Sequence, residues 1–144
     1  MPENLYPKAS VLNRFIAKFI DILIVAGLYE ISSRIGFIAG MMYLLVADGF
    51  SQGKSLGKWF IGLQTFVPAT RSLCTFRESI IRNFPLAVGY FFFLIPYVGW
   101  LLTGAIFAFE GLLIIGHGLG LRIGDELAGT QVLEREALDV GVER

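Results

Sequence analysis

Six charged residues stand where an otherwise apolar chain gives them the means to do chemistry. Asp21, Glu110 and Asp48 are carboxylates set among apolar runs, and Arg14, Lys18 and Asp125 accompany them. A carboxylate in apolar surroundings has to be ion-paired, hydrogen-bonded or wet. Such a group takes up and releases a proton or a small cation, because desolvation raises its pKa and a basic neighbour lowers it. Arg14, Lys18 and Asp21 follow one another at spacings of four and three, so one helical face carries all three. On a helix, Asp21 lies about 10 Å beyond Arg14 along the axis. A carboxylate near the middle of a membrane span costs roughly 2.5–3.5 kcal/mol on an insertion scale. Lys18, one turn away, is the nearest basic partner, while Arg14 either snorkels to the headgroups or folds down. Two readings stand: a carboxylate that binds a cation or proton, and an ion pair that fixes helix packing without any transport role.

Glu110 has apolar residues on either side and would form a second carboxylate of a polar path with Asp21 or Asp48. Glu30, near the end of the first apolar run, is expected to be solvated. Asp125 follows Gly124 and is placed either to cap a turn or to reach Arg14, Arg82 or the basic middle of the chain. Contact with Arg14 would tie the end of the last apolar run to the start of the first. The chain has one cysteine, Cys74, and one histidine, His117. An internal disulfide is therefore impossible, and a Cys/His metal site of the usual ligand count is not available. Cys74 is expected to be buried and His117 to lie at the surface. No Ser/His/Asp set and no paired carboxylates on soluble structure are present, so no catalytic residue and no cofactor are assigned.

The segment beginning Gly53-Lys-Ser-Leu-Gly-Lys has the end of a phosphate loop but not its beginning. Asp48 stands where the first glycine would be, and no strand precedes it. Its glycines instead permit a tight turn. Lys54 and Lys58, four apart, are expected to face an anionic membrane leaflet together, each contributing about 1 kcal/mol.

The elements that must hold these residues follow from composition. Of 144 residues, 55% are hydrophobic and 17% charged, and mean hydropathy is +0.66. Soluble domains are nearer 45–50% apolar with about a quarter charged, so a soluble core of this size could not hide so much apolar surface. The formal net charge of +0 gives no reason to invoke nucleic acid. The expectation is a single unit, 1–144, with an all-α membrane fold: a bundle of four transmembrane helices at about 15–31, 35–50, 80–95 and 98–115. Crossing the hydrocarbon core takes about 20 residues. Taken as one helix, 84–115 would measure about 48 Å, so two antiparallel spans with a turn at 96–99 fit better, with Pro85 near the start of the third. Between the two pairs, 55–62 reads as a short amphipathic helix on the membrane surface. Positions 63–67 read as a strand, and a turn follows at Pro68. A helix then starts near Thr75, with Glu78 in capping-box spacing. A second strand at 130–133 would complete a small ribbon with the tail. No internal repeat is evident, although the two helical hairpins are of similar size. No cleavable signal sequence is expected.

Basic residues set the orientation. Lys8 and Arg14 precede the first span, and Arg34 alone lies in the first loop. Five basic residues lie in the central loop, none in the third, and Arg122, Arg135 and Arg144 in the tail. Alternate sides are basic and bare, which predicts both termini and the central loop in the cytoplasm, at the plasma (inner) membrane. Trp59, Trp100, Tyr6 and Tyr97 fall at the expected interfaces.

Three stretches in register resemble the RDD family of small membrane proteins, named for one arginine and two aspartates. They are Leu12-Asn-Arg-Phe-Ile-Ala-Lys-Phe-Ile-Asp, Gly53-Lys-Ser-Leu-Gly-Lys-Trp-Phe-Ile-Gly-Leu-Gln and Arg122-Ile-Gly-Asp-Glu-Leu-Ala-Gly-Thr-Gln-Val-Leu. The matching positions are Arg14, Asp21 and Asp125. The resemblance implies transport of an unidentified ligand, with cation/proton exchange among the proposals. The expected function is a small transporter, or transporter subunit, for a monovalent cation, a proton or a small polar solute. Asp21, Glu110 and Asp48 would line its path, and Arg14, Lys18 and Asp125 would form a structural charge network. Four short helices make a thin wall, which points to a homo-oligomer in the lipid bilayer. The rival is a non-transporting scaffold, assembly factor or partner-binding protein. The two differ in hydration: a transporter needs Asp21 accessible to water, and a scaffold tolerates it sealed in an ion pair.

Overall fold

The computed structural model describes residues 6–142; Arg144, one of the basic tail residues, lies outside them. The chain is mostly helical, with a small three-stranded sheet. In order it forms α1 (Val11–Ile31), α2 (Ser33–Phe50), α3 (Leu56–Ile61), β1 (Leu63–Val67), β2 (Ser72–Leu73), α4 (Phe76–Phe92), α5 (Val98–Gly116), α6 (Ile123–Ala128), β3 (Gln131–Glu134) and α7 (Arg135–Val142). Two helices, α2 and α5, are long and apolar enough to cross a membrane. Helix α1 is longer than either but carries Arg14, Lys18, Asp21 and Glu30, while α4 has 17 residues and is charged in its first half. The long helices turn large apolar side chains outward: Ile31 is 82% exposed, Leu101 76% and Leu112 64%. Charged side chains lie inside, with Arg82 1% exposed and Asp125 0%. This inverts the usual arrangement of a protein in water and is consistent with a membrane location.

The capping box stands as read: Thr75 caps α4 together with Glu78, whose carboxylate accepts from the Thr75 N–H at 2.9 Å. Other elements depart from the sequence reading. Helix α4 starts at Phe76, and Pro85 lies well inside it rather than near its start. There Pro85 withholds one intrahelical donor. The tail forms α6 and α7, where only a strand was expected. Strand β1 pairs with β3 and also with the two-residue β2, which closes the hairpin after Pro68. The Tyr6 ring packs 5.0 Å from that of Phe66, over the sheet.

The fold contains an internal repeat that the sequence reading did not find. Two long helices, a six-residue helix and a strand occur in that order twice: α1-α2-α3-β1 and α4-α5-α6-β3. Gly57, Gly62 and Gln64 in the first copy answer Gly124, Gly129 and Gln131 in the second at one constant offset. Gly62 (φ 79°) and Gly129 (φ 63°) each end the short helix in the left-handed region that glycine adopts without strain. The antiparallel register of β1 on β3 has the same symmetry. Thr65 opposite Val132 is the centre, with Gln64↔Leu133 and Phe66↔Gln131 exchanged across it. Short helix packs on long helix alike in both copies, α3 on α1 and α6 on α4. The largest departure from this symmetry lies between the halves. Helix α2 lies close along α4, whereas the equivalent pair, α5 and α1, barely touches.

Glycine permits each short helix to approach so closely. A Cβ on Gly57 would run into the Ala17 carbonyl and stand 3.0 Å from an Asp21 carboxylate oxygen. One on Gly124 would run into the Arg82 carbonyl. Backbone cannot yield as a side-chain tip does, so overpacking here costs about 1–3 kcal/mol or more. Gly57→Ala and Gly124→Ala are each expected to lower the thermal unfolding midpoint of the detergent-solubilised protein. Gly27→Ala, which meets nothing within 4 Å, should leave it unchanged.

Candidate functional site

One buried network gathers side chains from both repeats. At its centre Arg82, from α4, lies 2.7 Å from Asp125 and 3.3 Å from Asp48, and also donates to the Thr65 hydroxyl. Asp48, at the end of α2, takes a 2.6 Å contact from Lys58 Nζ and accepts from the Ser55 N–H at 3.1 Å. Lys58 also donates to Thr65 Oγ1 at 2.9 Å, so the threonine at the centre of the pseudo-symmetry takes hydrogen bonds from both cations. Asp125 receives Arg14 Nη2 at 3.0 Å and has Arg122 Nε at 3.5 Å. Arg14 further donates to the Gly120 carbonyl, and Arg122 to the Asn83 side-chain oxygen at 2.8 Å. Glu110, from α5, stands 3.9 Å from Arg122 Nε.

These contacts place the sequence-derived residues plainly. Arg14 and Asp125 are brought together, and Asp125 also caps α6 through the Arg122 N–H at 3.4 Å. Asp48 is saturated by Lys58 and Arg82. Asp21 is not paired with Lys18. It accepts from three neutral donors: the Tyr43 hydroxyl (2.7 Å), the Ser55 hydroxyl (2.7 Å) and the Gly57 N–H (2.9 Å). The reason is α3, which Gly57 allows to lie on α1 with its first amides over the carboxylate. Lys18 makes no ion pair among the described residues and is half-buried. Lys58 does not face a leaflet beside Lys54; it is 8% exposed and turned inward by Asp48. Outside the network, Cys74 is buried, which pushes its thiol up to about 11, and His117 Nε2 lies 3.5 Å from Glu126 near the surface.

Electrostatics follow from the same geometry. Burial and the Arg82 charge push the Lys58 ammonium down to about 7, against the opposing pull of Asp48. Burial alone would raise the Asp125 carboxyl, but Arg82, Arg122 and Arg14 outweigh it and hold the group far below the usual carboxylate range. Four polar atoms of the network are fully buried and make no hydrogen bond: the donors Arg82 Nε and Arg122 Nε, and the acceptors Glu110 Oε2 and Asp125 Oδ1, the last held only by charge contacts with Arg82 and Arg122.

The gap between α1 and α5 is a cavity of about 470 Å³. Asp21 and Glu110 line it, with Arg14, Lys18, Arg82 and Arg122, below walls that include Phe19 and Phe107. No group of His, Cys, Asp and Glu side chains able to hold a metal ion occurs among the described residues. Compared with known proteins, the chain matches no family model, no curated protein and no solved structure.

The roles of Arg82, Arg122, Lys58, Tyr43 and Ser55 were the least visible in sequence. Arg82 and Lys58 read as loop cations because the loop's return into the bundle has no local signature. The hydroxyls of Tyr43 and Ser55 carry no charge pattern at all.

Removing one partner of a buried ion pair strands the other and costs about 3–5 kcal/mol. Arg82→Gln, which strands two carboxylates, is therefore expected to lower the unfolding midpoint in detergent more than Lys18→Gln, which breaks no pair. Asp125 also makes a pH prediction. Its folded-state pKa lies below the ordinary 3.8, so its contribution to stability is complete above that value and is lost as pH falls below it. The midpoint of the wild type should drop on acidification below about pH 4. Asp125→Asn should start lower at neutral pH and lose less over the same range.

Proposed function

We propose that the chain is a four-span membrane protein of the RDD type, with both termini and the short-helix and sheet elements on the cytoplasmic side of the plasma membrane. We further propose that it acts as a small transporter or transporter subunit for a proton-coupled polar solute. The observation that carries the reading is the division of the buried carboxylates. Asp48 and Asp125 are each paired with two or more cations, while Asp21, held by neutral donors, and Glu110 are equally buried but line the cavity. Glu110 has an oxygen with no hydrogen-bond partner, which suits a group that exchanges a proton. A cavity at the interface of two repeats is also where transporters built from internal repeats hold their cargo. Arg14, Lys18, Arg82 and Arg122 share the wall, so a proton or an anionic solute fits better there than a bare metal cation. The scaffold reading is supported by the network itself, which locks the short helices to the long ones whether or not anything moves.

The test is internal pH in liposomes containing the purified protein, with sodium, potassium and phosphate gradients imposed in turn. Proton movement coupled to one gradient, unchanged in Lys54→Gln and lost in both Glu110→Gln and Asp21→Asn, is the expected result. Well-folded wild type that moves no protons under any of the three gradients would leave the scaffold reading standing.

A further inference from the structure

The break in the pseudo-symmetry has a definite shape and charge. Where α2 and α4 close against each other, α1 and α5 leave the 470 Å³ cavity. A second cavity of about 450 Å³ continues from it along the same two helices, bounded by Val25, Tyr29, Leu44 and Tyr90. Ile22 and Phe107 line both, so the two form one groove. One end is floored by charge, and the remainder has mostly apolar walls, with Glu30 the one charged side chain among the residues lining the second cavity.

The charged end is not neutral. Five cations, Arg14, Lys18, Lys58, Arg82 and Arg122, line the first cavity. The carboxylates that line or pair with them are four: Asp21, Glu110, Asp48 and Asp125. With all nine groups ionised, which for Lys58 requires a pH below about 7, one positive charge is left over in surroundings where an unmatched charge is costly. The buried Nε groups of Arg82 and Arg122 make no hydrogen bond, and neither do the neighbouring oxygens Glu110 Oε2 and Asp125 Oδ1, so the free cation of this end is Lys18, which has no ionic partner among the described residues.

We propose that the groove between α1 and α5 holds an anionic phospholipid. Its phosphodiester sits against Lys18, Arg82 and Arg122, and an acyl chain lies along Ile22 and Phe107 toward Tyr90. A single phosphodiester supplies one negative charge and several acceptor oxygens, matching the surplus charge and the unpaired Lys18 ammonium on a wall it shares with Arg82 and Arg122. A second copy of the chain fits less well, because the outward face of α5 is apolar and offers the cations nothing. With the network on the cytoplasmic side, as in the reading above, the headgroup lies at the level of the inner leaflet and the chain points to the bilayer centre, as in an undisturbed lipid. The proposal depends on that membrane reading but not on transport.

Native mass spectrometry of the detergent-purified protein, titrated with dioleoyl phosphatidylglycerol or dioleoyl phosphatidylcholine, tests it. One phosphatidylglycerol per chain is expected to bind at least tenfold more tightly than phosphatidylcholine. Lys18→Gln should reduce that preference several-fold while keeping the wild-type unfolding midpoint. Ala108→Phe, which narrows the groove without touching a charge, should lower the affinity for both lipids. Equal affinity for the two lipids in the wild type overturns the proposal, as does displacement of phosphatidylglycerol by millimolar inorganic phosphate, which would make the occupant a soluble anion. Should either variant fail to fold, the wild-type comparison decides alone. Lipid preference without proton flux would overturn transport only, and flux without lipid preference would overturn this proposal only.

Discussion

The structure depends on keeping opposite charges paired where water is scarce. Desolvating a guanidinium or a carboxylate costs several kcal/mol, recovered only when geometry and hydrogen bonding are both good. Arg82 meets that condition by facing Asp125 on one side and Asp48 on the other, with Thr65 completing its contacts. Each partner belongs to a different element. Asp48 ends α2, Asp125 opens α6, Thr65 is in β1, and Arg14 arrives from α1. The positions of α1, α2 and α4 are thereby referred to one guanidinium, and a shift of one of these helices strands a charge on another. The network thus acts more through selectivity for one arrangement than through net attraction.

The internal repeat explains why this arrangement is available. Each half supplies a six-residue helix whose second residue is glycine, so the helix can lie directly on the first long helix of its own half. The residue after that glycine is the charged one, Lys58 in the first half and Asp125 in the second. With the halves related about the Thr65–Val132 pair, these two residues of opposite sign reach the same central arginine from opposite sides, Lys58 through Asp48 and Asp125 directly. Duplication gives the frame, and the difference in sign between the two copies makes the frame electrically self-consistent.

Much of the helical frame was legible because apolar runs of membrane length are long signals. The ends of α1, α2 and α5 fall within a few residues of the expected positions, and the capping pair Thr75–Glu78 marked the start of α4. Contacts across the chain were less legible. Lys18 is the nearest cation to Asp21 in sequence, yet the carboxylate is satisfied by neutral donors from α2 and α3. Helical spacing reports which residues share a face, not what is packed against that face. The repeat escaped notice because it rests on three matched positions, two of them glycines, in otherwise different segments. A glycine recurring at fixed distance before a strand was the available signal. Its physical meaning, close approach of backbone to backbone, emerges only once the long helix beneath it is placed.

The asymmetry between the halves bears directly on function. If the sole demand were a stable bundle, α5 would be expected to close on α1 as α2 closes on α4, since a filled seam gains dispersion contacts on both sides. It does not close, and the open seam is where Glu110 and Lys18 lie, along with the unpartnered nitrogens of Arg82 and Arg122. Paired and unpaired groups meet there. Arg14 and Lys58 are ion-paired and Asp21 is satisfied by neutral donors, yet all three line the cavity beside Lys18. Arg82 belongs to both places: it is held between Asp125 and Asp48 and is also part of the cavity's wall. The guanidinium that fixes the two halves against each other is thus also a wall of the seam they leave open, so a charge that changes in the seam acts on the same contacts that hold the bundle together.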